Sequence, residues 1–112
     1  VNIYIFIFLV TSMDTLYNRL DYEQLEQAAN MLKAIAHPIR MSIVDLLKDD
    51  RQLTVTEIFE ELDIEQAVAS HHLRILKDRG VLNSKREGKN TYYFLKHNRV
   101  SQIIHCIEKC SC

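Results

Sequence analysis

The sequence predicts a mainly helical domain with one small β-hairpin, the arrangement of a winged helix-turn-helix. Three observations carry that expectation. Apolar residues recur at three- and four-residue steps in successive stretches from Asp21 onward. A Thr-x-x-Glu helix start opens two helical stretches separated by a very short connector. Beyond Gly80 the pattern changes to two short strand-like segments around a basic tip. A chain of 112 residues, 47% hydrophobic and 26% charged, suffices for one domain with a modest core that needs neither disulfides nor metal.

In the first predicted helix, Leu25, Ala28, Ala29, Leu32 and Ile35 share one face. His37-Pro38 interrupts the run, and proline suits the first position of a new helix because the amide hydrogen it lacks would be unpaired there. The second helix carries Ile39, Ile43, Leu46 and Leu47 and ends near Lys48, before the polar turn Asp49-Asp50-Arg51-Gln52. At the start of the third, the Thr54 hydroxyl and the Glu57 carboxylate can each satisfy an amide left free by the other's segment. This helix runs to about Leu62, and Asp63-Ile64 forms a tight connection. The fourth helix covers residues 65–79 and is closed by Gly80, at a position suited to a left-handed cap. Residues 81–87 and 91–95 then form a hairpin around Gly88-Lys89-Asn90. Val100, Ile103, Ile104 and Ile107 mark a fifth helix.

The net charge of −1 hides an asymmetry. Residues 14–63 hold 11 acidic and 5 basic side chains, whereas residues 65–99 hold 3 acidic and 8 basic ones and three histidines. Such a division can present one face to nucleic acid while the remainder stays acidic.

Helical spacing places Val68, Ala69, His72, Leu73 and Leu76 of the fourth helix inward, and Gln66, Ala67, Ser70, His71, Arg74 and Lys77 outward. The outward set combines amide, hydroxyl, imidazole and guanidinium donors with a small alanine able to touch a thymine methyl, which is the chemistry that reads base edges. Gln66, Ala67, Ser70, His71 and Arg74 are therefore the candidate base readers. Lys85, Arg86 and Lys89 on the hairpin, with Lys96 nearby, are placed to meet phosphate, although basic residues also serve simply to blunt exposed sheet edges. His72 is expected to be a hydrogen-bonded core residue and His37 to have a structural role at its helix start.

Leu32-Lys33-Ala34-Ile35-Ala36-His37-Pro38-Ile39-Arg40, Ala69-Ser70-His71-His72-Leu73-Arg74-Ile75-Leu76, Arg86-Glu87-Gly88-Lys89 and Tyr92-Tyr93 occur in this order. Over residues 25–95 the chain thereby resembles the ArsR/SmtB family of bacterial repressors. The resemblance implies a homodimer bound to a palindromic operator in double-stranded DNA, with an effector that commonly releases it. It also implies a dimer interface formed by the first and fifth helices, here through Leu25, Ala28, Ile103, Ile104 and Ile107.

Metal sensing, frequent in that family, does not carry over at two familiar positions. Thr54-Val55-Thr56 stands where the third-helix sensors have Cys-x-Cys, and hydroxyls do not replace thiolates for soft ions. The zinc pattern of the fifth helix would fall on His97, Arg99 and Cys110, and a guanidinium cannot ligate a cation. No cofactor is assigned. A soft metal or metalloid such as arsenite, or an oxidant, could still act on Cys106, Cys110 and Cys112, the first two of which lie one helical turn apart.

Three cysteines confined to the last seven residues cannot staple a core, which points to a reduced, cytoplasmic protein. The apolar run at residues 3–10 is too short for a bilayer and lacks the charged start of a signal peptide. Residues 1–12 are expected to be a non-native or disordered extension, with Met13 the natural initiator and residues 13–112 the domain. Two rival functions are a winged-helix protein-interaction module, which keeps the fold, and an enzyme. The enzyme is disfavoured: no nucleophile has a base and an orienting acid beside it, and there is no glycine-rich phosphate loop.

Overall fold

In a computed structural model, residues 15–110 are described; the expectations for residues 1–12, Met13 and Cys112 fall outside them. The chain divides after Asn30 into two compact units, and each is taken by itself.

The first unit contains the short helix α1 (Leu16–Arg19) and most of α2 (Tyr22–Ile35). The sequence reading omitted α1, whose four residues are too few to show a period. α2 starts where it does because the Asp21 carboxylate accepts from the Gln24 amide at 2.8 Å and the Gln24 side-chain oxygen accepts from the Asp21 amide at 3.1 Å. This reciprocal cap went unread although its Asp-x-x-Gln signature is present.

The second unit is built from α3 (Pro38–Leu46), β1 (Leu53–Thr54), α4 (Val55–Leu62), α5 (Gln66–Asp78), β2 (Leu82–Glu87), β3 (Asn90–Leu95), a 3₁₀ turn (Asn98–Val100) and α6 (Ser101–Cys110). α3 packs on α4, α5 and α6, and α4 packs on α5. Ile43, Val44, Leu47, Ile58, Leu73, Leu76, Leu82, Leu95, Val100 and Ile104 join them in one buried core. The fold class is as expected, with one addition. The wing has three strands in the order β1-β3-β2, because Leu53 and Thr54 pair antiparallel with Tyr93 and Tyr92.

The hairpin is also tighter than its sequence suggested. Glu87 pairs with Asn90, so the loop is the two residues Gly88-Lys89, with Gly88 at φ 63°. Asn90 belongs to the strand and not to the tip. A left-handed residue at that position matches the turn to the twist of the strands.

Between α3 and β1, Asp49 and Asp50 both adopt left-handed backbone, φ 61° and 59°, a conformation that aspartate tolerates better than most residues. The Asp50 carboxylate accepts a hydrogen bond from the Asn98 side chain. That contact fixes the loop to the turn preceding α6.

Candidate nucleic-acid interface

The helix-turn-helix is α4 and α5. Thr54 caps α4: its Oγ1 accepts from the Glu57 amide at 3.2 Å, while Glu57 Oε1 accepts from the Thr54 amide at 3.1 Å. Asp63 at φ 52° then reverses the chain, and Glu65 occupies the N-cap of α5. At the other end of α5, Gly80 (φ 80°) donates to the Lys77 carbonyl at 3.1 Å and Val81 to the Leu76 carbonyl at 2.9 Å. Those two bonds form the Schellman closure, which requires a left-handed residue at this place. The C-terminal end of α5 is thereby closed, whereas at its N-cap Glu65 makes no side-chain bond to the helix.

Its two faces sort as the period predicts. Ala69, His72, Leu73 and Leu76 are buried and Val68 is half-buried. Gln66, Ala67, Ser70, His71, Arg74 and Lys77 are all exposed. A groove of about 660 Å³ runs beside the exposed face, lined by Ala67, Ser70, His71, Arg74, Lys77, Asp78 and Tyr93. Tyr93, on β3, is a member the sequence reading missed; it joins α5 only through the tertiary fold.

The wing cations differ in how they are held. Lys85 pairs with Glu87 at 3.1 Å, and Arg86 Nε donates to the Gly88 carbonyl at 3.3 Å. Lys89, at the tip, is exposed and has no ion pair among the described residues. An exposed pair such as Lys85–Glu87 is worth about 1 kcal/mol or less, so Lys85 can exchange its partner for a phosphate at small cost.

Three imidazoles lie in a row, those of His71 and His72 on α5 and that of His37 at the start of α3. The His37 and His72 ring centroids are 4.5 Å apart and those of His71 and His72 5.1 Å. His37 caps α3, its Nδ1 accepting from the Ile39 amide at 3.1 Å, which gives it the expected structural role. His72 is buried, but its Nδ1 has no hydrogen-bond partner; the expectation of a hydrogen-bonded core histidine is corrected on that point. Burial first, then the neighbouring His37, Arg40 and His71, lowers the His72 pKa from the ordinary histidine value.

The other candidate residues fall as follows. Leu25 and Ile103 are half-buried, Ala28 and Ile107 exposed, and Ile104 turned into the core at 7% exposure. Cys106 and Cys110 are exposed on α6. Thr54-Val55-Thr56 does not fit a soft metal, since the Thr54 hydroxyl is an oxygen donor already committed to the cap. Among the described residues no three histidine, cysteine or acidic side chains are grouped to hold a metal ion, and no helix is long and apolar enough to cross a membrane.

Comparison with known proteins agrees with this geometry. The helix-turn-helix domain family matches residues 35–85. An uncharacterized HTH-type transcriptional regulator of Methanocaldococcus jannaschii is 36% identical over 78% of this chain and 98% of its own length. The transcriptional repressor PagR of Bacillus anthracis is 36% identical over 78% of this chain and 87% of its own. The crystal structure of PagR superposes with a TM-score of 0.71, covering 78% of this chain and 99% of that one. A homodimeric winged helix-turn-helix DNA-binding domain from Mycobacterium bovis, a possible ArsR-family transcriptional regulator, superposes with a TM-score of 0.68 at 28% identity, covering 81% of this chain and 85% of the other.

Proposed function

The chain belongs to the ArsR/SmtB family of winged helix-turn-helix regulators, and from that premise we propose that it represses transcription as a homodimer on a two-fold operator. The observation that supports this best is the exposed stripe Gln66, Ala67, Ser70, His71 and Arg74 on the second helix of the helix-turn-helix, closed at its C-terminus by Gly80. The N-terminal part of the second helix of such a motif reaches base edges in the major groove. Lys85, Arg86 and Lys89 meet the flanking backbone. Family members are DNA-binding regulators and not enzymes.

Dimerisation accounts for large apolar side chains left at the surface. In the first unit these are Leu16, Tyr17 and Tyr22, at 49%, 73% and 70% exposure; in the second, Leu32 and Ile107 at 52% and 44%. Within each unit these side chains are candidates for cover by a second copy of the chain. Leu25, Ala28, Ile103 and Ile107 are assigned to this interface, with Ile104 supporting it from the core side.

Repression on this reading needs no bound metal. A second reading routes sensing through Cys106 and Cys110, exposed one turn apart on α6, with Cys112 beyond them. Binding of the full chain to duplex DNA from upstream of its own gene, in competition with unrelated duplex, tests the main reading. Saturable binding that resists the competitor is expected. A chain that binds neither duplex is instead a winged-helix protein-interaction module.

A further inference from the structure

We infer that Lys77 and Tyr93 form a seat for one DNA phosphodiester, placed between the reading helix and the wing. The inference rests on the DNA-binding reading above and adds a site to it. The register pairs Tyr93 with Ser84 and with Leu53, so these side chains share the sheet face that carries the buried pair Leu82 and Leu95. The Tyr93 ring is half-buried against the core, which fixes its direction. Tyr93 also lines the groove beside α5, and its hydroxyl has no hydrogen-bond partner among the described residues. A phenol whose hydroxyl is uncommitted within the protein and which borders a groove can donate to an anion there.

Lys77 supplies the charge. Ser70, Arg74 and Lys77 lie at i, i+4 and i+7, one stripe along α5, and all three line the groove. Lys77 is exposed and has no ion pair among the described residues. A recognition helix reads bases with its N-terminal residues. Its last turn is the part that meets the sugar–phosphate backbone, where an ammonium and a phenol are suitable donors and carry no sequence information. Asp78 lines the same groove and repels phosphate.

The test uses the full chain, fluorescence anisotropy, and two probes: a duplex from upstream of its gene and a 30-base-pair duplex of random sequence, across a salt series. Tyr93→Phe should weaken binding to both duplexes by the same factor, at least about ten-fold, the worth of a hydrogen bond to a charged group. The salt slope should not change, since no charge is removed. Lys77→Gln should also weaken both equally and should reduce the slope of log K against log salt by about 2, one lysine being lost from each protomer of the dimer. Asp78→Asn should strengthen both. If Tyr93→Phe and Lys77→Gln bind both duplexes as the wild type does, the seat is absent and the DNA reading survives. A loss confined to the upstream duplex makes these residues base readers and overturns the inference. A wild type that binds neither duplex overturns both. Tyr93→Phe changes one oxygen on a half-buried ring and Lys77→Gln lies at the surface, so an unchanged thermal melt separates lost binding from lost folding.

Discussion

The imidazole that caps α3, that of His37, lies 4.5 Å centroid to centroid from the buried imidazole of His72 on α5. The capping role requires an unprotonated Nδ1 on His37, because a protonated ring has no lone pair for the Ile39 amide. His72 faces His37, Arg40 and His71, all cationic when charged, and its proton affinity is lowered by burial and then by those three. The unfolded chain therefore holds a proton on His72 more readily than the folded one. Its contribution to stability is complete above the ordinary histidine pKa of about 6.5 and is lost as the pH falls below that value. Denaturant unfolding at pH 7.5 and pH 5.5 should show the wild type less stable in acid, and His72→Leu should reduce the difference. An equal acid loss in that variant would show that His72 is not responsible.

The reciprocal bonds of Thr54 and Glu57 define the start of the helix-turn-helix. Thr54→Ala removes the acceptor for the Glu57 amide and should cost about 1 kcal/mol of unfolding free energy. Thr54→Ser should recover most of it, since the β1 pairing of this residue is made by backbone. A Thr54→Ala variant within a few tenths of a kcal/mol of the wild type would mean that water replaces the cap.

That cap was legible because it is local: four consecutive residues contain both partners. The same holds for Gly80 and for the two faces of α5, where one period sorts Ala69, His72, Leu73 and Leu76 from Ser70, His71 and Arg74. Apart from the short α1 and the local Asp21–Gln24 cap, what escaped depends on distant parts of the chain. Leu53 and Thr54 are a strand only because Tyr93 and Tyr92 lie beside them, and Tyr93 meets the reading helix only once the wing has folded back. Ile104 shows the limit of periodicity in another way. Spacing placed it with Ile103 and Ile107 on an apolar stripe, but a stripe does not say which member faces the chain's own core.

Gly80 should resist replacement. At φ 80° a Cβ meets nothing within 4 Å, so the cost of Gly80→Ala is backbone strain and not collision, about 1 kcal/mol. Gly80→Asn should cost less, because asparagine enters the left-handed region more readily. The two variants compared in one denaturation series check this. Equal losses would point to something other than backbone conformation.

If the exposed thiols of α6 sense a soft ion or an oxidant, their removal must change the response and leave DNA binding itself alone. Replacing Cys106, Cys110 and Cys112 together with serine should preserve affinity for the upstream duplex. It should also abolish any release caused by arsenite or an oxidant. A response that persists in the triple variant removes the cysteines from the mechanism.

Arg74 and Lys89 should fail in different ways, because one is assigned to bases and the other to backbone. Arg74 sits mid-helix on the exposed face of α5, where a guanidinium can bond a guanine at two atoms. Arg74→Ala should then weaken binding to the upstream duplex by roughly 1–3 kcal/mol and relax preference at one base pair. Lys89 extends from the two-residue tip of the wing, clear of any ion pair among the described residues. Lys89→Ala should lower affinity for every duplex alike and reduce the salt slope by about 2, one for each wing of the dimer. Lys85→Ala should do less than Lys89→Ala, because Lys85 must first leave Glu87 at 3.1 Å. Anisotropy titrations of the three variants on specific and random duplexes, at two salt concentrations, decide the matter. A uniform loss for Arg74→Ala would move that residue from the bases to the backbone, beside Lys77.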